Sequence, residues 1–272
     1  MTHHRIMRMG WTLVSMFLVG GLVLLPACSK TSETPGGGDG NSAANQPPAV
    51  TPPAVTTKPA AGTPTVAAAG DLAAIPLELP KPRFSGTPKN IPPGTRVKPA
   101  PKGPAKPRPP FMAPKGVKNV ALKKPVIASD MEPVIGTLDL VTDGSKEAVE
   151  DAYVELGPEV QWVQVDLEKA HKIHAVVLWH EHKDARVYHD VVIQVADDKD
   201  FITNVRTIYT NDHDNSAGLG LGQEWEYFET NEGLLVDTKG IVARYLRCYS
   251  NGSTADDLNR YTEVEVYGLE AK

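Results

Sequence analysis

The chain has little cysteine: 272 residues hold two, Cys28 and Cys248. That is too few for a disulfide scaffold or a thiolate zinc site. No segment keeps a helical period over ten residues, so helix bundles and helix-covered sheets are excluded. The longest apolar run, residues 11–25, is short for a membrane span. Acid is missing from residues 81–115, where nine Lys or Arg stand without one Asp or Glu. The chain also lacks a Gly-x-Ser-x-Gly elbow and a cysteine in a basic setting, and no pair of carboxylates is marked out by its surroundings, so nothing indicates an enzyme. The glycine-rich run 217–222 does not lead from a strand into a helix and is no dinucleotide fingerprint.

What is present is unevenly spread. Of 24 prolines, 20 lie between Cys28 and Gly116. Residues 29–115 are rich in Pro, Ala, Ser, Thr and Gly, with too little apolar surface to offset ordering entropy, and are expected to be a disordered, Pro/Ala/Lys-rich linker. Ile75, Leu77, Leu79, Phe84 and Ile91 punctuate it and offer a strip that docks locally. Residues 116–272 carry 15 basic and 29 acidic residues, a net −14, against +9 for residues 81–115. An acidic domain on a basic stalk argues against nucleic acid as a partner.

Residues 1–28 read as a targeting segment: Arg5 and Arg8, then the apolar run, then Leu25-Pro26-Ala27-Cys28. That tetrapeptide resembles a bacterial lipobox. The resemblance implies cleavage before Cys28, acylation of its thiol and amine, and a lipid-anchored protein of the bacterial cell envelope. Ser29 in place of aspartate favours the outer membrane. Membrane contact is then through the lipid alone.

The folded part, residues 116–272, shows short strand candidates at 117–122, 162–167, 173–179, 191–196, 206–210, 224–229, 243–250 and 262–269. Residues 162–167 alternate as a half-buried strand does. Residues 168–172 are polar enough for a hairpin turn, and 173–179 are so continuously apolar that both faces of that strand must be covered. Many short strands between polar turns predict an all-β, antiparallel sandwich or barrel. Cys248 shares a strand face with Leu246 and is expected to be buried and inert.

In order along the chain stand Asn119 to Ser129, Thr142-Asp143-Gly144, Trp162 to Leu167, Ile173 to Val176, Ala243 to Arg247 and Thr262 to Gly268. This set resembles the discoidin, or coagulation factor 5/8 type C, domain over residues 117–270. The resemblance implies an eight-stranded antiparallel jelly-roll β-sandwich of the galactose-binding-like type, and a non-catalytic binding module. It also implies a structural calcium, with Asp143, Ser145 and Glu263 at the family positions and Ala148 where a threonine is usual.

Ligand binding in the resembled family uses loops at one end of the sandwich, with aromatic faces for the sugar ring and polar side chains for its hydroxyls. The residues expected to do this here are Trp179, His182, Arg186, Trp225, Asn251 and Arg260, with Tyr227 and Asn259 beside them. His180, His182, His189 and His213 stand near Asp184, Asp190, Asp212 and Asp214, but neither cysteine nor a His-Glu-x-x-His motif marks a transition-metal centre. The expected partner is a cell-surface or extracellular glycan; the alternative is a protein of an envelope complex docked without sugar.

Overall fold

The computed structural model describes residues 71–83, 88–99 and 106–271. The targeting segment, Cys28, Phe84 and the linker up to residue 70 lie outside the described residues. The described residues form ten strands: β1 Leu72–Ala74, β2 Met112–Pro114, β3 Lys118–Asn119, β4 Val126–Ala128, β5 Val154–Leu156, β6 Gln161–His180, β7 Val192–Ala196, β8 Arg206–Thr210, β9 Leu234–Ser250 and β10 Asn259–Glu270. A 3-10 turn, Leu138–Thr142, leads into the Asp143-Gly144 bend. Pairing is antiparallel in the order β3-β10-β6-β9-β7-β8, with β4 on β6 and β5 on β10.

β6 and β9 build both layers. A straight 20-residue strand would hold its ends about 60 Å apart. In β6 both ends instead meet at Tyr261, which pairs in register with His180 while its hydroxyl donates to the Gln161 carbonyl at 3.3 Å. The chain folds over at Glu168, whose φ is 66° and whose N–H donates to Asp166 Oδ1 at 2.7 Å, and the register slips between Asp166 and His171. The hairpin expected at 168–172 is therefore a corner. The two arms of β6 do not pair with each other; residues 161–166 pair with β9 residues 245–250, and residues 171–178 with β9 residues 234–243. The reason is apolar: the corner sets Val163, Val165 and Leu167 in one core with Val176, Leu178, Ile193, Val195, Leu246, Cys248, Val264 and Val266. A hairpin would leave those faces side by side in one sheet with nothing opposite.

The alternate residues of the second arm, Ala175, Val177 and Trp179, face the other way into a second cluster with Tyr267, Val117, Ile75 and Ala113. Chain expected to be linker covers this face. β1 and β2 pair over it, Tyr267 Oη lies 3.4 Å from the Pro76 carbonyl, and Arg108 donates to the carbonyls of Gly233 and Glu232 at 2.9 and 2.7 Å. Further along, Val97 packs with Val187 and Phe228 and bridges Glu226. The boundary expected at residue 116 thus falls inside the ordered structure, because a sheet face of bare Val and Trp supplies the apolar surface that residues 71–115 lack by themselves. Within the expected docking strip, Ile75 is buried and Leu77 packs against the cluster, while Leu79 and Ile91 remain exposed.

β7 and β8 fall where the sequence places them. The expected strand at 224–229 is reduced to single bridges from Glu226 and Phe228, and β4, β5 and the first arm of β9 appear where no strand was expected.

Candidate functional site

The loops after β6, β8 and β9 converge at one end of the sandwich. His189 N donates to Gly252 O at 3.1 Å and Asn251 N returns a bond to His189 O at 2.9 Å; Asn211 N reaches Val191 O at 3.1 Å. This backbone lacing brings His189, Asp190, Asn251 and the 211–217 loop together. Asp190 Oδ2 accepts from Ser216 Oγ at 2.6 Å and from Asn251 Nδ2 at 2.9 Å. Asp212 accepts from the N–H groups of Ser216 and Ala217 at 3.1 and 3.0 Å. Carboxylate oxygens of Asp190, Asp212 and Asp214 lie within 4.8 Å of one another. Burial pushes the Asp212 carboxyl up; the Ala217 N–H opposes this and the Asp190 charge adds to it.

The same loop end carries Trp225, 42% exposed and the one exposed Phe, Tyr or Trp side chain among the described residues. The chain 96–98 runs next to it: Arg96 N donates to the Glu226 carboxylate and Val97 bridges Glu226, so Arg96 and Lys98 both turn to the ring, with charged atoms 5.6 and 5.9 Å from its centroid. Glu226 also accepts from His189 Nδ1 at 2.8 Å. That bond raises His189. Burial pushes Glu226 up, but His189 and the Arg96 N–H together bring it below its usual range.

The six residues expected at the ligand do not share one surface. Trp225 and the half-buried Asn251 belong to this loop end. Trp179 has no exposure; its indole N–H donates to Asn231 O at 3.0 Å, and Gly233, at φ 62°, lies so close to the ring that a Cβ there would stand 2.6 Å from it. Trp179 is a core residue, not a sugar platform. His182 is buried with Nε2 on Lys146 O at 2.9 Å. Arg186 is held by Glu181 at 2.7 Å, and Arg260 by Glu155 and Asp256 at 2.6 and 2.8 Å. His180 likewise is buried, paired with Glu229 at 2.7 Å and stacked on Tyr188 at 4.2 Å. The two arginines form internal ion pairs and the two histidines internal hydrogen bonds, and together they lock the loops. His189, Asp190 and the 212–216 turn also take part at the loop end; in the sequence their signal is the grouping of histidines and aspartates, which suggests a metal rather than a sugar.

The residues assigned to calcium by the resemblance meet on β10 at Glu263, which pairs with Trp179 on the face covered by residues 71–83 and 106–115, the strap. Gly144 N donates to Glu263 Oε2 at 3.1 Å, and Ser145 N to Asp143 Oδ1 at 2.6 Å. Glu263 is wholly buried, which pushes its carboxyl up to about 9, and its Oε1 has no hydrogen-bond partner among the described residues. Two further oxygens of the loop are taken by cations of the chain: Gly144 O accepts from Lys146 Nζ at 3.2 Å and Ala148 O from Arg83 Nε at 2.9 Å. Against a calcium shell of six to eight oxygens, this arrangement is a poor fit.

An antiparallel sandwich with a laced loop end carrying one exposed tryptophan has the build of a ligand-binding β-domain. Family comparison makes this specific: the model described as a NedA-like, galactose-binding domain of the F5/8 type C group matches residues 140–226. That match and the antiparallel sandwich are consistent with a discoidin-like domain. Similar solved structures include a family 89 glycoside hydrolase from Clostridium perfringens, 18% identical over 56% of this chain and 15% of its own, at a TM-score of 0.42. Others are a fucose binding module from Streptococcus pneumoniae, 16% identical over 55% and 96% of the two chains at 0.40, and chitosan-binding module 1 from a Paenibacillus sp. IK-5 chitosanase/glucanase, 24% identical over 55% and 98% at 0.37. The aligned part is thus about a seventh of the hydrolase. Comparison with curated proteins gives no match.

Proposed function

We propose that this chain binds carbohydrate at the loop end around Trp225, and that it binds without turning its ligand over. The observation that carries this reading is the match to a galactose-binding domain model across residues 140–226, a stretch that contains both His189-Asp190 and Trp225. Trp225 offers an apolar face for a pyranose ring. His189, Asn251 and Asp214 belong to the same loop end and are groups able to exchange hydrogen bonds with hydroxyls. Because Arg96 and Lys98 border the ring, the site includes chain from before residue 116.

The test is a glycan array probed with the full chain, followed by titration calorimetry on the sugars retained. Saturable binding to a defined glycan is the expected result. No glycan binding, together with specific capture of one envelope protein, would replace this reading by protein docking.

Lipidation at Cys28 would hold the domain at the bacterial envelope, most simply at the outer membrane, with the intervening chain as tether. Cys28→Ser is expected to release the protein from membrane fractions or to leave an uncleaved precursor; unchanged fractionation and mass would remove the anchor from the account.

A further inference from the structure

We propose that the Asp143-Gly144 loop of this chain is tied to β10 by the chain's own cations, Lys146 above all, in the place where the resemblance puts calcium. A calcium ion there would have to gather carbonyls of the loop and carboxylates of β10. Lys146 already does so. Its ammonium bonds Gly144 O at 3.2 Å and forms an ion pair with Glu265 Oε1 at 2.8 Å, with the two side chains only 11% and 6% exposed. Glu265 is satisfied on its other side, where Oε2 accepts from Tyr267 Oη at 2.8 Å. The ammonium lies 5.7 Å from the centroid of the buried Trp179 ring, and the Lys146 backbone is held through its carbonyl by His182 Nε2 at 2.9 Å. Backbone, stem and charge are therefore all fixed; this is not a surface lysine resting on a neighbour.

Arg83 completes the arrangement from the other side. Position 148 is alanine and brings no side-chain oxygen, and its carbonyl is bound to the guanidinium. A dication held by Asp143, Ser145 and Glu263 could take Gly144 O or Ala148 O only by displacing a cation, and would otherwise sit beside both cations against their repulsion. Glu263 Oε1 is a buried oxygen without a partner among the described residues, while Asp143 and Ser145, the rest of the assigned set, are exposed, and three such residues alone fall short of a calcium shell of six to eight oxygens. The mechanical result resembles that of an ion site, since Gly144 and Glu265, 121 positions apart, are drawn to the same charge. The difference is that this charge is covalently part of the chain and is not lost to a chelator.

The experiment is thermal melting of the full chain, wild type and Lys146→Met, in chelator and in about 1 mM calcium, the range that suits extracellular calcium modules. The wild-type midpoint is expected to be the same in both. Lys146→Met removes one partner of a buried pair and is expected to melt about 5–10 °C lower, with part of the loss restored by calcium once Gly144 O and Glu265 are vacated. Lys146→Arg keeps the charge and is expected to fall between the two. A wild-type midpoint that drops in chelator and recovers in calcium would overturn the proposal, as would Lys146→Met melting with wild type. Should Lys146→Met fail to fold, calorimetric titration of calcium into the wild type decides: no heat supports the internal cation, and a stoichiometric isotherm refutes it.

Discussion

Trp179 and Trp225 stand in regions of opposite construction. Trp179, on the strap-covered face, has no exposed surface, a satisfied indole N–H, a glycine against its ring and an ammonium that is itself paired. Trp225, at the loop end, keeps 42% of its surface in water and has two cations over its ring. Around Trp179 nearly every polar group has an internal partner; around Trp225 charge and ring are left available. The first pattern stabilises a fold and the second is what a ligand can use. Residue type alone does not separate them, and a tryptophan beside histidines in sequence was as good a candidate as a tryptophan beside glutamates.

The largest effect that would sharpen this contrast is expected at Trp179. Trp179→Ala should cost about 3–5 kcal/mol of unfolding free energy, the range for a buried aromatic truncation, and denaturant melts of the full chain would show it. A loss below about 1 kcal/mol, the scale of an ordinary surface change, would mean that the strap does not hold this face closed.

A smaller effect should appear as pH dependence at the loop end. Glu226 is depressed in the folded state, so its contribution is present above its ordinary value of 4.5 and is lost as pH falls through the lower folded value. His189 is raised, so its contribution is complete below its ordinary value of 6.5 and is lost as pH rises through the higher folded value. The pair therefore stabilises most between those limits. His189 is partly exposed, so the gain is at most about 1 kcal/mol. His189→Gln is expected to flatten the alkaline limb of the stability profile, and an unchanged limb would show that the His189–Glu226 bond does not persist in solution.

Much of the fold was legible because period and turn chemistry are local. The strands near 191–196 and 206–210 follow from β-branched runs between polar turns. The polar residues 168–172 correctly marked a change of direction. Whether the arms then pair with each other or face each other across a core depends on β9, some 70 residues further on, and no local signal carries that. The strap was hidden for a related reason: Ile75, Ala113 and Val97 are too sparse to form a core of their own, and their burial is supplied by the faces they cover. At the site, the Asp143-Gly144 bend and Glu263 were brought together as the resemblance implied, but Lys146 reads in sequence as one more surface lysine. Asp190 and Asp212 are 22 positions apart and meet only through the lacing of three loops.

The measurement that bears most directly on the account is Trp225→Ala in the full chain, read by glycan titration and thermal melting on the same sample. The expected result is a loss of at least about tenfold in affinity, equal to 1.4 kcal/mol, with a melting midpoint within about 2 °C of wild type, as for an exposed side chain. Unchanged affinity for the glycan that the wild type binds would contradict the assignment of binding to this end of the sandwich.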